Sequence, residues 1–260
     1  MFRKKSGSRI IQNQHYRIVQ TFLVQLLNSM MCRVSVALLF DSGFFYLIVT
    51  QTNLYHCQMK EFHKKSAKTL PWTDVTIIEI KKFFGLLILM DQIKKSHWRD
   101  YWSTDPLVET PIFRKTMPRM RFGQILTFFH LNDNTQDTSA GGRLCKIRPL
   151  LDYIIPKFQS LYIPKSKLAL DKAMVPYRGR LSFRTYNPAK IVKYGILVRM
   201  LCESESGYIC NLQVYSGQGR KLQETILSVL EPYLGHWHHV YQDNYYNSVY
   251  TAKYYSGRKH

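Results

Sequence analysis

Acids are scarce in this 260-residue chain: 17 Asp and Glu stand against 37 Lys and Arg, a formal charge of +20. None precedes Asp41 and none follows Asp243. A folded surface of that sign repels cationic partners and concentrates polyanions. Nucleic acid is therefore the first partner to consider and anionic membrane the second, with charge that serves only solubility as the plain alternative. Long apolar runs are missing too. No window reaches the roughly 18 residues that a membrane span needs, and the nearest, residues 34–50, is broken by Asp41, Ser42 and Gly43. No membrane partner is expected. The basic start MFRKKSGSR runs into Gln12, Asn13 and Gln14 instead of the apolar core of a secretory signal. Cysteine is sparse: five residues (Cys32, Cys57, Cys145, Cys202, Cys210), an odd number with no CxxC. That pattern argues against a disulfide framework or zinc site and for a reducing, intracellular compartment.

What is present suffices for a core, since 45% of residues are hydrophobic and 14% aromatic. Phe22, Leu23, Leu26, Leu27 and Met30 have helical spacing. A helix is predicted over Phe44 to Phe62 with Leu47, Ile48, Leu54 and Tyr55 inward. Another follows Thr73 or Asp74 as cap, with Glu79 in an early turn and the apolar run Phe83 to Met90 in the core. Helices over Arg119 to Phe129 and Lys146 to Leu161 come next, the second interrupted or kinked at Pro156. Between them the polar segment NDNTQDTSAGG has loop composition. After residue 165 the texture changes to strands, at Lys167 to Val175, Lys193 to Cys202, Tyr208 to Tyr215 and His238 to Gln242. A hairpin joins the second and third strands, and a helix over Leu222 to Leu230 precedes the fourth.

Two acids occupy telling places in this second half. Asp171 lies inside the first strand, flanked by Leu168, Leu170 and Met174, where a charge is costly unless paired or bound to a metal. Asp243 lies just past the fourth. If those strands are neighbours, the two carboxylates face each other and suit Mg²⁺, a hard cation that prefers oxygen. A pair of such ions can clamp the attacking and leaving oxygens of a phosphodiester displacement. From spacing alone the plainer account is Asp171 as a satisfied buried acid and Asp243 as a helix cap or turn residue. The order β-β-β-α-β, with one acid in the first strand and one after the fourth, is the layout of an RNase H-like nuclease core, which places a third carboxylate on a later helix. Between the first two strands lie Arg178, Arg180, Arg184, Lys190 and Lys193, with no acid among them. They are candidates for phosphate contact, with Phe183 and Tyr186 either stacking on bases or packing inward. His236, His238 and His239 read as ordinary strand histidines. SGQGR lacks the Lys-Ser/Thr of a phosphate loop.

The segment LALDKAMVPYRGRLSFRTYNPAKIVKYGILVRMLCESESGYICNLQVYSG resembles the central part of piggyBac-type transposases and piggyBac transposable element-derived proteins. So do HVYQDNYYNSV, KKFFGLLILM, RDYWSTDPLVETPIFRKTMPRMRFGQILTFFHLNDN and KIRPLLDYIIPKFQSLYIPKSKLALD. The resemblance covers roughly residues 34–253. It implies an α+β or α/β fold, with a helical dimerisation and DNA-binding region (34–164) ahead of an incomplete RNase H-like core (165–253). It further implies a nuclear protein acting on DNA at TTAA-type sites, as a homodimer, through three Mg²⁺-binding aspartates. Asp171 matches the first of these and Asp243 the second. Three departures accompany it: Lys172 stands where the family commonly has Glu, residues 1–33 form an atypical basic leader, and no acid is left for the third position before the divergent tail, 254–260. The expectation is a C-terminally truncated, transposase-derived DNA-binding protein that does not complete strand transfer. The alternatives are an active Mg²⁺-dependent transposase whose remaining core lies outside this chain, and a non-catalytic interaction fragment.

Overall fold

A computed structural model describes residues 36–59, 71–135, 142–179, 181–218 and 221–256. The leader, the helical spacing at Phe22 to Met30, Arg180, and the end of the tail lie outside the described residues. Contacts divide the chain into two compact units, one holding residues 40–150 and the other residues 36–39 and 151–260.

The first unit is helical. Helix α1 (Ser42–Met59) begins two residues before the expected Phe44, because Asp41 Oδ1 accepts the Phe44 N–H at 3.1 Å and so caps a donor that would otherwise be orphaned. Its buried face is Phe44, Phe45, Ile48, Thr52 and Tyr55. Leu54, expected inward, is exposed: the i, i+4 stripe from Phe44 passes through Thr52 and turns Leu54 away. Helix α2 (Ile77–Gln92) is capped by Thr76, not by Thr73 or Asp74, through a capping box in which Thr76 and Glu79 exchange side-chain and backbone hydrogen bonds. The same Glu79 receives the Arg121 guanidinium at 2.8 and 2.9 Å, while Arg121 Nη1 donates to the Thr73 carbonyl at 2.9 Å. That fork ties the start of α2 to α4 (Arg119–Phe128), and it holds the Glu79 carboxyl below the usual carboxylate range. Phe83, Phe84, Leu86, Leu87 and Met90 are buried as expected, against Phe44, Phe122 and Phe129. Before α4, the short helix α3 (Pro111–Thr116) buries Phe113 against Tyr101 and Trp102.

The second unit begins in helix α5 (Arg148–Leu161), which carries Pro156 in its interior and buries Leu151, Ile154 and Phe158. A mixed sheet follows: β1 (Lys167–Pro176), β2 (Thr185–Tyr186), β3 (Tyr194–Glu203), β4 (Ile209–Val214) and β5 (His239–Gln242). The hairpin read from the sequence is β3–β4, antiparallel, with a register irregularity at Leu201/Cys202. The two-residue β2 was not anticipated. β1 lies between β3, antiparallel, and β5, parallel. The parallel pairing needs a crossover, which α6 (Leu222–Leu230) supplies while packing on β3 and β4. Asn211 Nδ2 pins it by donating to the Val229 carbonyl at 2.8 Å. The last described element, α7 (Val249–Ser256), contacts α6.

At Gly195 the backbone of β3 passes close against that of β1. A Cβ there would overlap the Val175 carbonyl oxygen, a backbone atom that cannot swing aside. Gly195→Ala is therefore expected to lower stability by about 1–3 kcal/mol, the range for overpacking, and a denaturant titration of the variant checks it.

Candidate functional site

Residues i, i+2 and i+4 of a strand share one sheet face, and paired residues on neighbouring strands share it too. On β1 that rule separates Lys167, Ala169, Asp171 and Ala173 from Leu168, Leu170, Lys172 and Met174. The β1–β5 register runs from Lys167 opposite His239 to Leu170 opposite Gln242. Carried one residue further, it sets Asp171 beside Asp243, whose backbone is still extended (φ −62°, ψ 151°). Neighbouring strands lie about 4.8 Å apart, so the two acids stand side by side on one face. Both are exposed.

The expectation that Asp171 sits in costly apolar surroundings is therefore overturned. The flanking leucines point to the opposite face, and the nearest residues of its own face are half-buried: Ala169 and Ala173 on β1, Met200 directly opposite and Cys202 diagonally across. The buried acid of this sheet is Glu203, 1% exposed at the far end of β3. Asp171 Oδ1 accepts the Lys172 backbone N–H at 2.6 Å. Its charge is felt nearby. Burial first, and then Asp171, push the Cys202 thiol up to about 11, so that thiol stays protonated and is no nucleophile. Tyr246 is raised to about 12, by burial first; Arg199 opposes the shift, while Asp171, Tyr245 and Asp243 add to it.

Asp243 is held by the turn that follows it. The residue caps a 3-10 turn, Asn244–Tyr246, whose Tyr246 N–H returns to the Asp243 carbonyl at 2.9 Å. Tyr246 is buried and anchors that turn in the unit. Lys172, pointing to the face opposite Asp171, places its ammonium 4.4 Å from the Tyr245 ring centroid and 6.0 Å from that of Tyr246. A cation over an aromatic face is attracted by the ring quadrupole, so Lys172 braces the Asp243 turn against β1. The alternation of β1 was enough to send Lys172 away from the acids; nothing in the sequence named its aromatic partners.

The basic stretch stands apart from the acids. β1 continues to Pro176, and at about 3.3 Å per residue the loop begins roughly 17 Å from Asp171. Arg178 and Lys193 are exposed, Lys190 is half-buried, and Arg184 is exposed but braces its own loop. Arg184 Nη1 donates to the carbonyls of Arg178 and Gly179, both at 3.2 Å, and the guanidinium lies 5.5 Å from the Tyr194 ring centroid. Phe183 is a core anchor, whereas Tyr186 remains exposed against Tyr194.

A family model described as Transposase IS4 matches residues 37–258. The chain belongs to that transposase family. Within it the likeness is to piggyBac proteins. This piggyBac-like chain is 27% identical over 182 residues to human "PiggyBac transposable element-derived protein 3", covering 70% of the chain and 28% of that protein. It is 28% identical over 173 residues to human "PiggyBac transposable element-derived protein 2", covering 66% and 27%. Among solved structures, a piggyBac transposase in a synaptic complex with hairpin DNA, determined by cryo-EM, superposes with a TM-score of 0.71 at 25% identity. That match covers 86% of this chain and 49% of the other. The chain thus spans little more than a quarter of the length of these curated relatives. It is a piggyBac-like, transposase-derived protein of mixed helix and sheet.

Proposed function

We propose that this chain is a transposase-derived DNA-binding protein of the piggyBac type, with a helical DNA-binding and dimerisation region over 34–164 and a partial RNase H-like core over 165–253. The observation that carries this reading is the β1–β5 register, which ends at Leu170 opposite Gln242 and, extended by one residue, brings the exposed Asp171 and Asp243 to one sheet face. Mg²⁺ commonly binds through one or two carboxylates and takes its remaining oxygens from water and phosphate. The residues present fit one such ion, held by Asp171 and Asp243. Among the described residues no cluster of three His, Cys, Asp or Glu surrounds it. When bound, the ion supplies positive charge against a phosphodiester oxygen. The chain's own part is to orient both acids, through the parallel register and the turn at Asn244–Tyr246. Arg178, Arg184, Lys190 and Lys193, with Arg180 from the sequence, attract the backbone at the loop that begins roughly 17 Å from Asp171.

Residues 1–260 by themselves bind DNA without completing cleavage and strand transfer, because this end of the sheet offers two acids where the family mechanism uses three. TTAA-type sites, a homodimer and a nuclear location belong to the same proposal and rest on the family resemblance; the hairpin DNA held by the structural relative supports the DNA partner. One observation favours a second reading, an active Mg²⁺-dependent endonuclease: the Lys172 ammonium is spent on Tyr245 on the opposite face and does not crowd the acids.

A TTAA-containing duplex is expected to bind at low salt and to be released as salt rises, with a log–log slope of about −0.9 per phosphate contact. No binding at low salt would sink the proposal. With Mg²⁺ or Mn²⁺ present the duplex is expected to stay intact; nicking that disappears in Asp171→Ala establishes the second reading instead.

A further inference from the structure

The face that carries the two acids does not end with them. Two steps of the β1–β5 register lie along it, Lys167 with His239 and then Ala169 with Tyr241, and its extension by one residue beyond Leu170–Gln242 adds Asp171 with Asp243. Every one of these side chains is exposed except Ala169, which is half-buried. At about 3.3 Å per residue, the Tyr241 ring stands roughly 6.6 Å along the strand from Asp243 and as far from His239 on the other side. Tyr241 is 56% exposed and has no ring or hydrogen-bond partner among the described residues, unlike Tyr245 over its lysine and Tyr246 in the interior. An unpartnered ring thus lies on a strand between a cationic step and an anionic one.

Resting on the proposed function, we infer that Tyr241 is a stacking platform for an unpaired nucleobase of the nucleic acid bound at this face. The Lys167 ammonium stands against a phosphate on one side, with the His239 imidazole beside it, and the Asp171–Asp243 pair would meet the next part of the backbone through a divalent cation on the other. The chemistry selects this occupant over a protein. Large contiguous apolar patches mark protein docking surfaces, whereas here the one exposed aromatic has half-buried Ala169 and Cys202 beside it and charges at both ends. Bases stack on such rings without regard to sequence, and the neighbouring cations track the backbone. A base inside a duplex is already stacked on both sides, so the platform acts on single-stranded or unpaired nucleotides.

The test uses the full chain and two labelled oligonucleotides, a single strand and the blunt duplex of the same sequence, followed by fluorescence anisotropy at low salt. Tyr241→Ala is expected to weaken single-strand binding by roughly 5- to 150-fold and to leave duplex binding within about twofold of wild type. Tyr241→Phe, which keeps the ring, is expected to retain wild-type affinity for both, and this rescue separates stacking from misfolding. If Tyr241→Ala binds the single strand like wild type, or loses both substrates equally while remaining folded, the inference fails and the DNA-binding proposal stands. If wild type binds neither oligonucleotide, both fail. A shift of Tyr241→Ala from dimer to monomer in sedimentation, with single-strand binding unchanged, would make this face an interface between copies and overturn the inference as well.

Discussion

Glu203→Ala is expected to lower stability by about 3 kcal/mol, seen as a fall in the urea midpoint followed by far-ultraviolet circular dichroism. The carboxylate is buried at the end of β3, and its oxygens are fully used. Oε1 accepts the Lys165 backbone N–H at 2.7 Å, and Oε2 accepts the Tyr162 hydroxyl at 2.8 Å. The segment so held leads from α5 into β1, so one side chain fixes where the central strand begins. Truncation removes these charge-assisted bonds, each worth about 1.5–3 kcal/mol, and costs the Lys165 N–H and the Tyr162 hydroxyl their acceptor. Glu203→Gln keeps an acceptor of similar shape and is expected to lose roughly half as much.

The same carboxylate gives stability a pH dependence. Burial alone raises the Glu203 pKa, but hydrogen bonds from Ser206, the Lys165 N–H and Tyr162 outweigh it and hold the group below its ordinary value. The unfolded chain, with an ordinary glutamate near pKa 4.3, therefore takes up its proton first as pH falls. Glu203's contribution is complete above about pH 4.3 and is lost as pH falls through the lower, folded value. Glu203→Gln has no proton to take up, so its denaturation midpoint is expected to fall less steeply than that of wild type over this acid range.

Glu203 also shows where sequence reasoning stops. Chain order identified the four main strands, the hairpin and the crossover helix, because alternating apolar residues and turn composition are local signals. Side-chain periodicity sent Lys172 to the face opposite Asp171 for the same reason. Burial is not local. Asp171 looked buried because its sequence neighbours are leucines, yet those leucines face the other way and its own face is lined by alanines. Nothing local marks Glu203 as buried, because it opens the turn-like segment ESESG and its partners Tyr162 and Lys165 lie about 40 positions away. The cap of α2 slipped from Thr73 or Asp74 to Thr76 because several cap-competent residues stand in a row, and only the reciprocal bond with Glu79 decides between them. The basic stretch lies roughly 17 Å from Asp171 because an extended strand moves the chain quickly away from where it started.

That separation shapes the second prediction. Replacing Arg178, Lys190 and Lys193 together by alanine is expected to weaken duplex binding by roughly 500-fold at 0.1 M salt. Each phosphate contact contributes about 0.9 to the slope of log affinity against log salt, so three lost contacts remove about 2.7. Arg184 is left in place because it holds the loop through the carbonyls of Arg178 and Gly179, and losing it would confuse a missing charge with a collapsed loop. The reach suits a duplex: about 17 Å from Asp171 is roughly half of one helical turn of about 34 Å. One duplex laid across the sheet end can therefore meet both the acids and the loop. The slope carries the argument more firmly than the affinity, because a misfolded variant loses affinity at every salt concentration alike. If the triple variant binds more weakly but keeps the wild-type slope, these residues do not touch phosphate, and the contacts must be sought elsewhere on the chain. If the slope falls by close to three contacts while the strand signals in circular dichroism are unchanged, the loop is part of the DNA-facing surface and the acid pair lies within one helical turn of it.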